Sequence, residues 1–443
     1  MIEAVARSTR HRVALVNPPS APGTVANREG AAGMGTLYHG SKAFLYPPHT
    51  LATFAANLRN AGHEVRAFDA VVQGLPPDVG NADVMGVFVS YAGLNTDLAF
   101  IEAVRKQSSA RLMAFGPAMR FVGEQVLAMS PVDAVLVGEA ESFGVAAVRH
   151  LCAQNGSRGP QLLSPADVGA TGCDAQGFVQ DLDALPFPAW DLLPYKKYSL
   201  LTVLSSRGCP ELCAYCPYAA AQGHRFRARS IESVLAELAW LSKRFDLPRL
   251  VFRDPVFAYA RERVVAICEG ILQRGLRLRW ECESRPEHFD VGLLQLMQRA
   301  GCQWVKIGLE SADEALLQSL GRVGSAQEAA AYLQRVVEVV STCAKIGLNC
   351  RLFVMAGLPG QDVGSAQRTA RFLEKLRPAA LNIKAFEAYP GLDLPPLPVS
   401  DCAAQMEVLQ QAQAKLEQSQ PVPGPLTRGK RWIKAFLRGE RHG

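Results

Sequence analysis

Leu200-Leu-Thr-Val-Leu-Ser-Ser-Arg-Gly-Cys209-Pro-Glu-Leu-Cys213-Ala-Tyr-Cys216 is the stretch from which the rest of the chain is read. Its first half, LLTVLSS, is a short apolar run of β-branched and leucine residues, the pattern of a buried parallel strand. Arg207-Gly208 then opens a loop that carries three cysteines at spacings of four and three. Three thiolates so spaced can wrap one face of an iron–sulfur cluster and leave one iron without a protein ligand. A structural zinc site would need a fourth ligand, for which His224 and Cys268 are the candidates.

Downstream, the pattern of that first strand recurs. RLVFRD, LRLRWECES, WVKIGLES, NCRLFVMAGLPG and LNIKAFEAY read as strands, and amphipathic segments such as IESVLAELAWLSKRF separate them. Six β-α units in succession predict a partial or full parallel barrel over residues 196–400, with its functional face at the strand carboxyl ends. Residues 401–443 read as a helical tail with a Pro-rich break and a basic end, RGKRWIKAFLRGERHG, able to touch an anionic membrane but more simply a solvated helix.

Upstream, RVALVNPP, EVRAFDA, VMGVFVSY, RLMAFGP and DAVLVGEAE alternate with helical patterns. This predicts a doubly wound, Rossmann-like α/β domain over residues 1–150. Ligands of such folds lie beyond the strand carboxyl ends, here marked by Asn17, Asp69, Ser90, Gly116, Gly138 and Glu139. Residues 151–195, rich in Pro and Gly and including LPFPAWDLLPY, read as a linker.

The bulk numbers set bounds. Apolar residues make up 49% and charged residues 20% of 443, a globular composition too long for one domain. A net charge of +6 does not call for a nucleic-acid partner. The opening sequence lacks a secretory apolar run, and eleven cysteines without an export signal fit a reducing cytoplasm. Cys152, Cys173, Cys268, Cys282, Cys302, Cys343, Cys350 and Cys402 are scattered and read as core or incidental thiols.

The C-x-x-x-C-x-x-C loop after the first barrel strand, with Tyr215 before its last cysteine, resembles the signature of the radical S-adenosylmethionine superfamily. The resemblance implies a [4Fe-4S] cluster on Cys209, Cys213 and Cys216. Its open iron would bind the amino and carboxylate groups of S-adenosylmethionine, which reduction cleaves to a 5′-deoxyadenosyl radical. It implies cofactor contacts at Tyr215, at Asp254 in FRDPVF, at Ser284 and Arg285 in ESR, and at Glu310 and Ser311 in IGLES. Gly357 and Pro359 in FVMAGLPG would add contacts toward the adenine, and AYPG resembles the end of the sixth strand. It implies as well an external electron donor such as a flavodoxin or ferredoxin.

The upstream domain resembles the cobalamin-binding domain of the cobalamin-dependent branch of these enzymes, so that the two resemblances together span about nine-tenths of the chain. Asn17, Asp69, Ser90, Gly116, Gly138 and Glu139 would then contact cobalamin, carried as methylcobalamin. Many cobalamin domains place a histidine in D-x-H-x-x-G; here the stretch is Asp69-Ala-Val71-Val-Gln-Gly74, and Val71 offers no lone pair. His49 and His63 are possible substitutes, although each reads first as a solvated histidine. The implied activity is methyl transfer to an unactivated carbon of a small-molecule or natural-product intermediate. Ring formation, rearrangement or oxidation with the same cofactors, and a non-catalytic cobalamin- or metal-responsive binding protein, are the alternatives.

Overall fold

A computed structural model describes residues 10–39, 45–74, 81–153, 159–246, 249–394 and 401–419. The chain divides into two compact units, Met1–Ser199 and Leu200–Gly443. The basic stretch RGKRWIKAFLRGERHG lies outside the described residues.

Unit 1 holds strands β1 (Arg12–Asn17), β2 (Thr24–Asn27), β3 (Thr36–His39), β4 (Glu64–Asp69), β5 (Val84–Phe88), β6 (Arg111–Phe115), β7 (Ala134–Leu136) and β8 (Gln161–Leu163). Its helices are α1 (His49–Asn60), α2 (Ala70–Gln73), α3 (Leu94–Arg105), α4 (Met119–Met129) and α5 (Ala140–Ala153). Six strands form one parallel sheet in the order β4-β1-β5-β6-β7-β8, while β2 and β3 make a separate antiparallel ribbon. The order reverses between β1 and β5, the switch point at which open α/β sheets receive their ligands. Phe54 of α1 meets Phe115 edge-on in the core, and Phe115 stacks on Phe88. Gly144 on α5 is required there, because a Cβ would fall 2.0 Å from the Phe54 ring.

The stretch 151–195 is not a free linker. Its β8 completes the sheet beside β7. Ala189 N donates to Ala52 O at 2.9 Å, and Trp190 is fully buried edge-on to His49. Between these anchors the segment stays largely at the surface, with Gly169 and Gly172 exposed, so proline and glycine density reflects irregular backbone, and only β8 and short buried runs tie it to unit 1.

Unit 2 contains β9 (Leu201–Val203), β10 (Ser206–Arg207), β11 (Arg227–Ala228), β12 (Leu250–Phe252), β13 (Trp280–Ser284), β14 (Cys302–Glu310), β15 (Asn349–Ala356) and β16 (Ala380–Ala385). Between and after them run α6 (Pro217–Gln222), α7 (Ile231–Arg244), α8 (Arg261–Gln273), α9 (Val291–Arg299), α10 (Glu314–Ser319), α11 (Ala326–Ile346), α12 (Val363–Leu376) and α13 (Cys402–Ser419). The parallel sheet runs β9-β12-β13-β14-β15-β16 in chain order, a (β/α)6 partial barrel. Polar caps start its helices: Ser230, Asp290, Asp313, Ser325 and Asp362 each accept from a backbone N–H three residues on. Trp280 sits in the core against Phe252 and Phe257, and its indole donates to Ala300 O at 2.8 Å. The predicted tail helix α13 packs on α12, β15 and β16 and so belongs to this unit.

Candidate active site

The cysteine loop follows β9 and β10 and ends in α6, with Pro217 at the first helical position, and the pairing of β10 with β11 closes loop and helix off at their base. Gly208 adopts φ +79, and a Cβ there would sit 2.1 Å from Arg225 O, so only glycine lets the loop turn. Cys209, Cys213 and Cys216 converge on a cavity of about 100 Å³ with Glu211, Tyr215, Glu283, Ser284, Arg285, Glu310 and Arg322. These come from the carboxyl ends of β13 and β14 and from the segment after α10, as the barrel rule requires.

Burial pushes the Cys209 thiol up to about 11 and raises Cys216 as well, whereas iron binds thiolate. Positive charge is supplied alongside. Arg322 Nη1 stands 3.7 Å from Cys213 Sγ and Arg285 Nη1 stands 4.0 Å from it. Arg322 is buried and held by Tyr332 Oη at 2.9 Å and Gly308 O at 2.9 Å.

Arg285 uses its planar fork on carboxylates, as its chemistry suggests. Those carboxylates belong to the protein. Nη1 pairs with Glu211, Nη2 with Glu287 at 2.7 Å, and Nη2 also donates to Arg322 O at 2.9 Å. Ser284 Oγ lies 3.0 Å from His288 Nδ1, and burial lowers that histidine to about 4, so it is neutral near pH 7.

Glu310 ends β14 at φ +61, where the β14–β15 register shifts. Burial raises its carboxyl to about 7. The Tyr215 hydroxyl is buried without a hydrogen-bond partner. An orphan hydroxyl, a raised carboxyl and three thiols around one cavity suit a cluster with a polar organic cofactor beside it.

Not every expected contact lines the cavity. Asp254 accepts from Ser205 N at 2.8 Å and from Ser206 Oγ at 2.7 Å, and Ser311 bonds Thr369 at 3.1 Å. Both are buried behind the wall formed by Pro255, Val256 and Glu310. Gly357 and Pro359 follow β15 outside the lining set. Arg322 and Glu211 were missed. The only sequence signal for Arg322 is Gly321-Arg-Val-Gly324, which reads as an ordinary turn. The zinc alternative loses its ligands: His224 is exposed, and Cys268 is buried in α8 near Cys282 and Cys302.

In unit 1, Asn17 Nδ2 donates to Asp69 Oδ1 at 2.7 Å, and Arg28 Nη1 donates to Asn17 Oδ1 at 3.0 Å. Arg28 also pairs with the buried Asp97, which accepts from Ser90 N at 3.1 Å. Asn17, Asp69 and Ser90 thus share one network at the switch point. Burial raises Asp69 and Asp97 despite these partners. Gly116 follows β6 at φ +134 and Gly138 follows β7 at φ +131, while Glu139 is tied elsewhere, accepting from Val179 N at 2.7 Å. Val71 lies in α2, whose cap is Asp69. His49 and His63 are buried, against the expectation that each is solvated: His49 packs on Trp190, and His63 stacks on His11 at the opposite end of β4 from Asp69.

The sequence profile of the radical SAM superfamily matches residues 203–373, which spans the cysteine loop and the strands that line the cavity. This segment is similar to the radical S-adenosylmethionine superfamily, and the protein is an enzyme. An uncharacterized methyltransferase of Pyrococcus horikoshii is 27% identical across 79% of this chain and 77% of its own. The hopanoid C-3 methylase of Methylococcus capsulatus is also 27% identical, over 80% of this chain and 69% of that enzyme. In fold, the chain is similar to the radical S-adenosylmethionine methyltransferase TsrM of Kitasatospora setae. The TM-score is 0.64 at 17% identity, covering 84% of this chain and 72% of TsrM, and TsrM has been solved with cobalamin and a [4Fe-4S] cluster bound.

Proposed function

We propose that this enzyme is a cobalamin-dependent radical S-adenosylmethionine C-methyltransferase acting on an unactivated carbon of a small-molecule biosynthetic intermediate. The observation that carries the reading is the pairing, in one chain, of a three-thiol cavity at the strand ends of unit 2 with a separate six-stranded unit of doubly wound topology. When bound, the cluster, S-adenosylmethionine and cobalamin supply the radical and the transferable methyl group.

The chain's own residues bind, orient and exclude water. Cys209, Cys213 and Cys216 hold iron as thiolates, with the Arg322 and Arg285 guanidiniums beside Cys213 offsetting the burial of negative charge. The Tyr215 hydroxyl, buried without a partner, and the Glu310 carboxyl in the same lining could donate to and accept from a cofactor in the cavity. Asn17, Asp69, Ser90, Gly116, Gly138 and Glu139 mark the strand ends of unit 1, where cobalamin would be held. An external low-potential protein, of the flavodoxin or ferredoxin kind, delivers the electron.

The test is anaerobic turnover with a candidate substrate and a low-potential reductant. S-adenosylhomocysteine and 5′-deoxyadenosine should accumulate in near-equal amounts, with product heavier by one methylene. Product formed with 5′-deoxyadenosine alone and no gain in mass would replace methylation by rearrangement or oxidation.

A further inference from the structure

We propose that α13 acts on the cofactor site of unit 2 through Gln405, which sets the shape of the loop after β15 that packs behind the cysteine loop; this rests on reading the three-thiol cavity as the S-adenosylmethionine site. Gln405 is fully buried. Its Oε1 accepts from Gly357 N at 2.7 Å, and its Nε2 donates to Gln361 O at 2.8 Å. Gln361, itself buried, turns its amide back into the same loop: Oε1 accepts from Leu358 N at 3.1 Å, and Nε2 donates to Met355 O at 3.1 Å. Two side-chain amides thereby satisfy four backbone groups between Met355 and Gln361, across the end of the strand ladder, where buried backbone needs partners.

Steric fit makes the same junction unforgiving. Gly357 adopts φ +84, and a Cβ on it would fall 2.9 Å from the Cβ and Sγ of Cys402 in the first turn of α13. The loop has no slack to move toward the helix. On its other side Leu358 is buried in an apolar cluster with Tyr215, Leu316 and Leu320, against which Cys213 and Cys216 also pack. A shift in the loop is therefore felt at the cysteine loop and at the Tyr215 ring. Gln405 lies outside the cavity lining, so it is a positioning residue, not a catalytic one.

The test uses the full chain with its cluster reconstituted, titrated with S-adenosylmethionine by calorimetry and by the change it causes in the spectrum of the reduced cluster. Gln405→Met keeps the volume and removes both bonds. It should weaken cofactor binding about tenfold by leaving two buried backbone groups unpaired. Iron content and kcat at saturating cofactor should stay close to wild type, while the melting temperature should fall by a few degrees because two buried backbone groups lose their partners. Gln405→Glu keeps the acceptor for Gly357 N and should recover binding to within about threefold of wild type. Unchanged affinity in the Gln405→Met protein overturns the proposal, as does a loss of kcat at unchanged affinity or a failure to assemble the cluster. A wild-type protein that carries its cluster yet binds no S-adenosylmethionine overturns instead the reading on which the proposal rests.

Discussion

Glu310 combines two features that rarely coincide: a side chain in the left-handed region of backbone space and a buried carboxyl raised to about 7. An acid whose folded value lies above its ordinary 4.5 favours the folded state when protonated. That contribution is full at low pH and is lost as pH rises from the ordinary value through about 7, an effect of about 3 kcal/mol. Glu310→Gln should therefore match the cofactor-free wild type in thermal unfolding near pH 4.5 and exceed its stability by several degrees at pH 8. Equal stability gaps at both pH values would deny Glu310 this role. Residues of this kind differ in how far sequence announces them. Cys209, Cys213 and Cys216 stand out by spacing alone, and Arg285 and Glu310 by following strands. Arg322 belongs to no pattern, because its place beside Cys213 depends on Leu320 O pairing with Ala214 N across the fold.

At the scale of elements, the β9–α6 connection carries the three cysteines proposed to hold iron, and its geometry hangs on Gly208. Gly208→Ala would drive a methyl group into the Arg225 carbonyl at 2.1 Å. Reconstituted variant protein should hold well under half of the about four iron and four sulfide of wild type, with overall secondary structure unchanged by circular dichroism. A companion substitution, replacing all three cysteines by Ala, should abolish the visible charge-transfer band and leave secondary structure unchanged. Strands were the legible part of this architecture, since buried parallel strands are short apolar runs that little else imitates. The β2–β3 ribbon was not foreseen: TVAN and TLYH are too short and too mixed to register as strands before they pair. Nor was the membership of β8 and Trp190 in unit 1, because their partners lie far away in sequence.

The whole molecule joins a sheet with a switch point to one whose strands are in chain order. For unit 1, the sequence left the axial chemistry of cobalamin open between Val71 and two histidines. With His49 under Trp190 and His63 at the far end of β4, no imidazole among the described residues is offered from the α2 cap. Electron paramagnetic resonance of one-electron-reduced cobalamin in the holoprotein should lack nitrogen splitting along the axis. A clear triplet would mean that an axial nitrogen, from a protein imidazole or from the cofactor's own benzimidazole, does reach the metal.

The sequential order of unit 2 bears on its synthesis. Each of β12 to β16 pairs with the preceding strand of the same sheet, so the sheet can lengthen as the chain leaves the ribosome, always presenting one fresh, unpaired edge. β16 is the final edge, and α13 is the element that packs against it. Until residues 402–419 arrive, a nascent sheet displays both an open ladder and the apolar face that Leu409, Ala412 and Leu416 later cover. That interval is when this protein is most exposed to mispairing with its own copies. Chaperone demand during expression should accordingly concentrate on chains halted between β16 and α13.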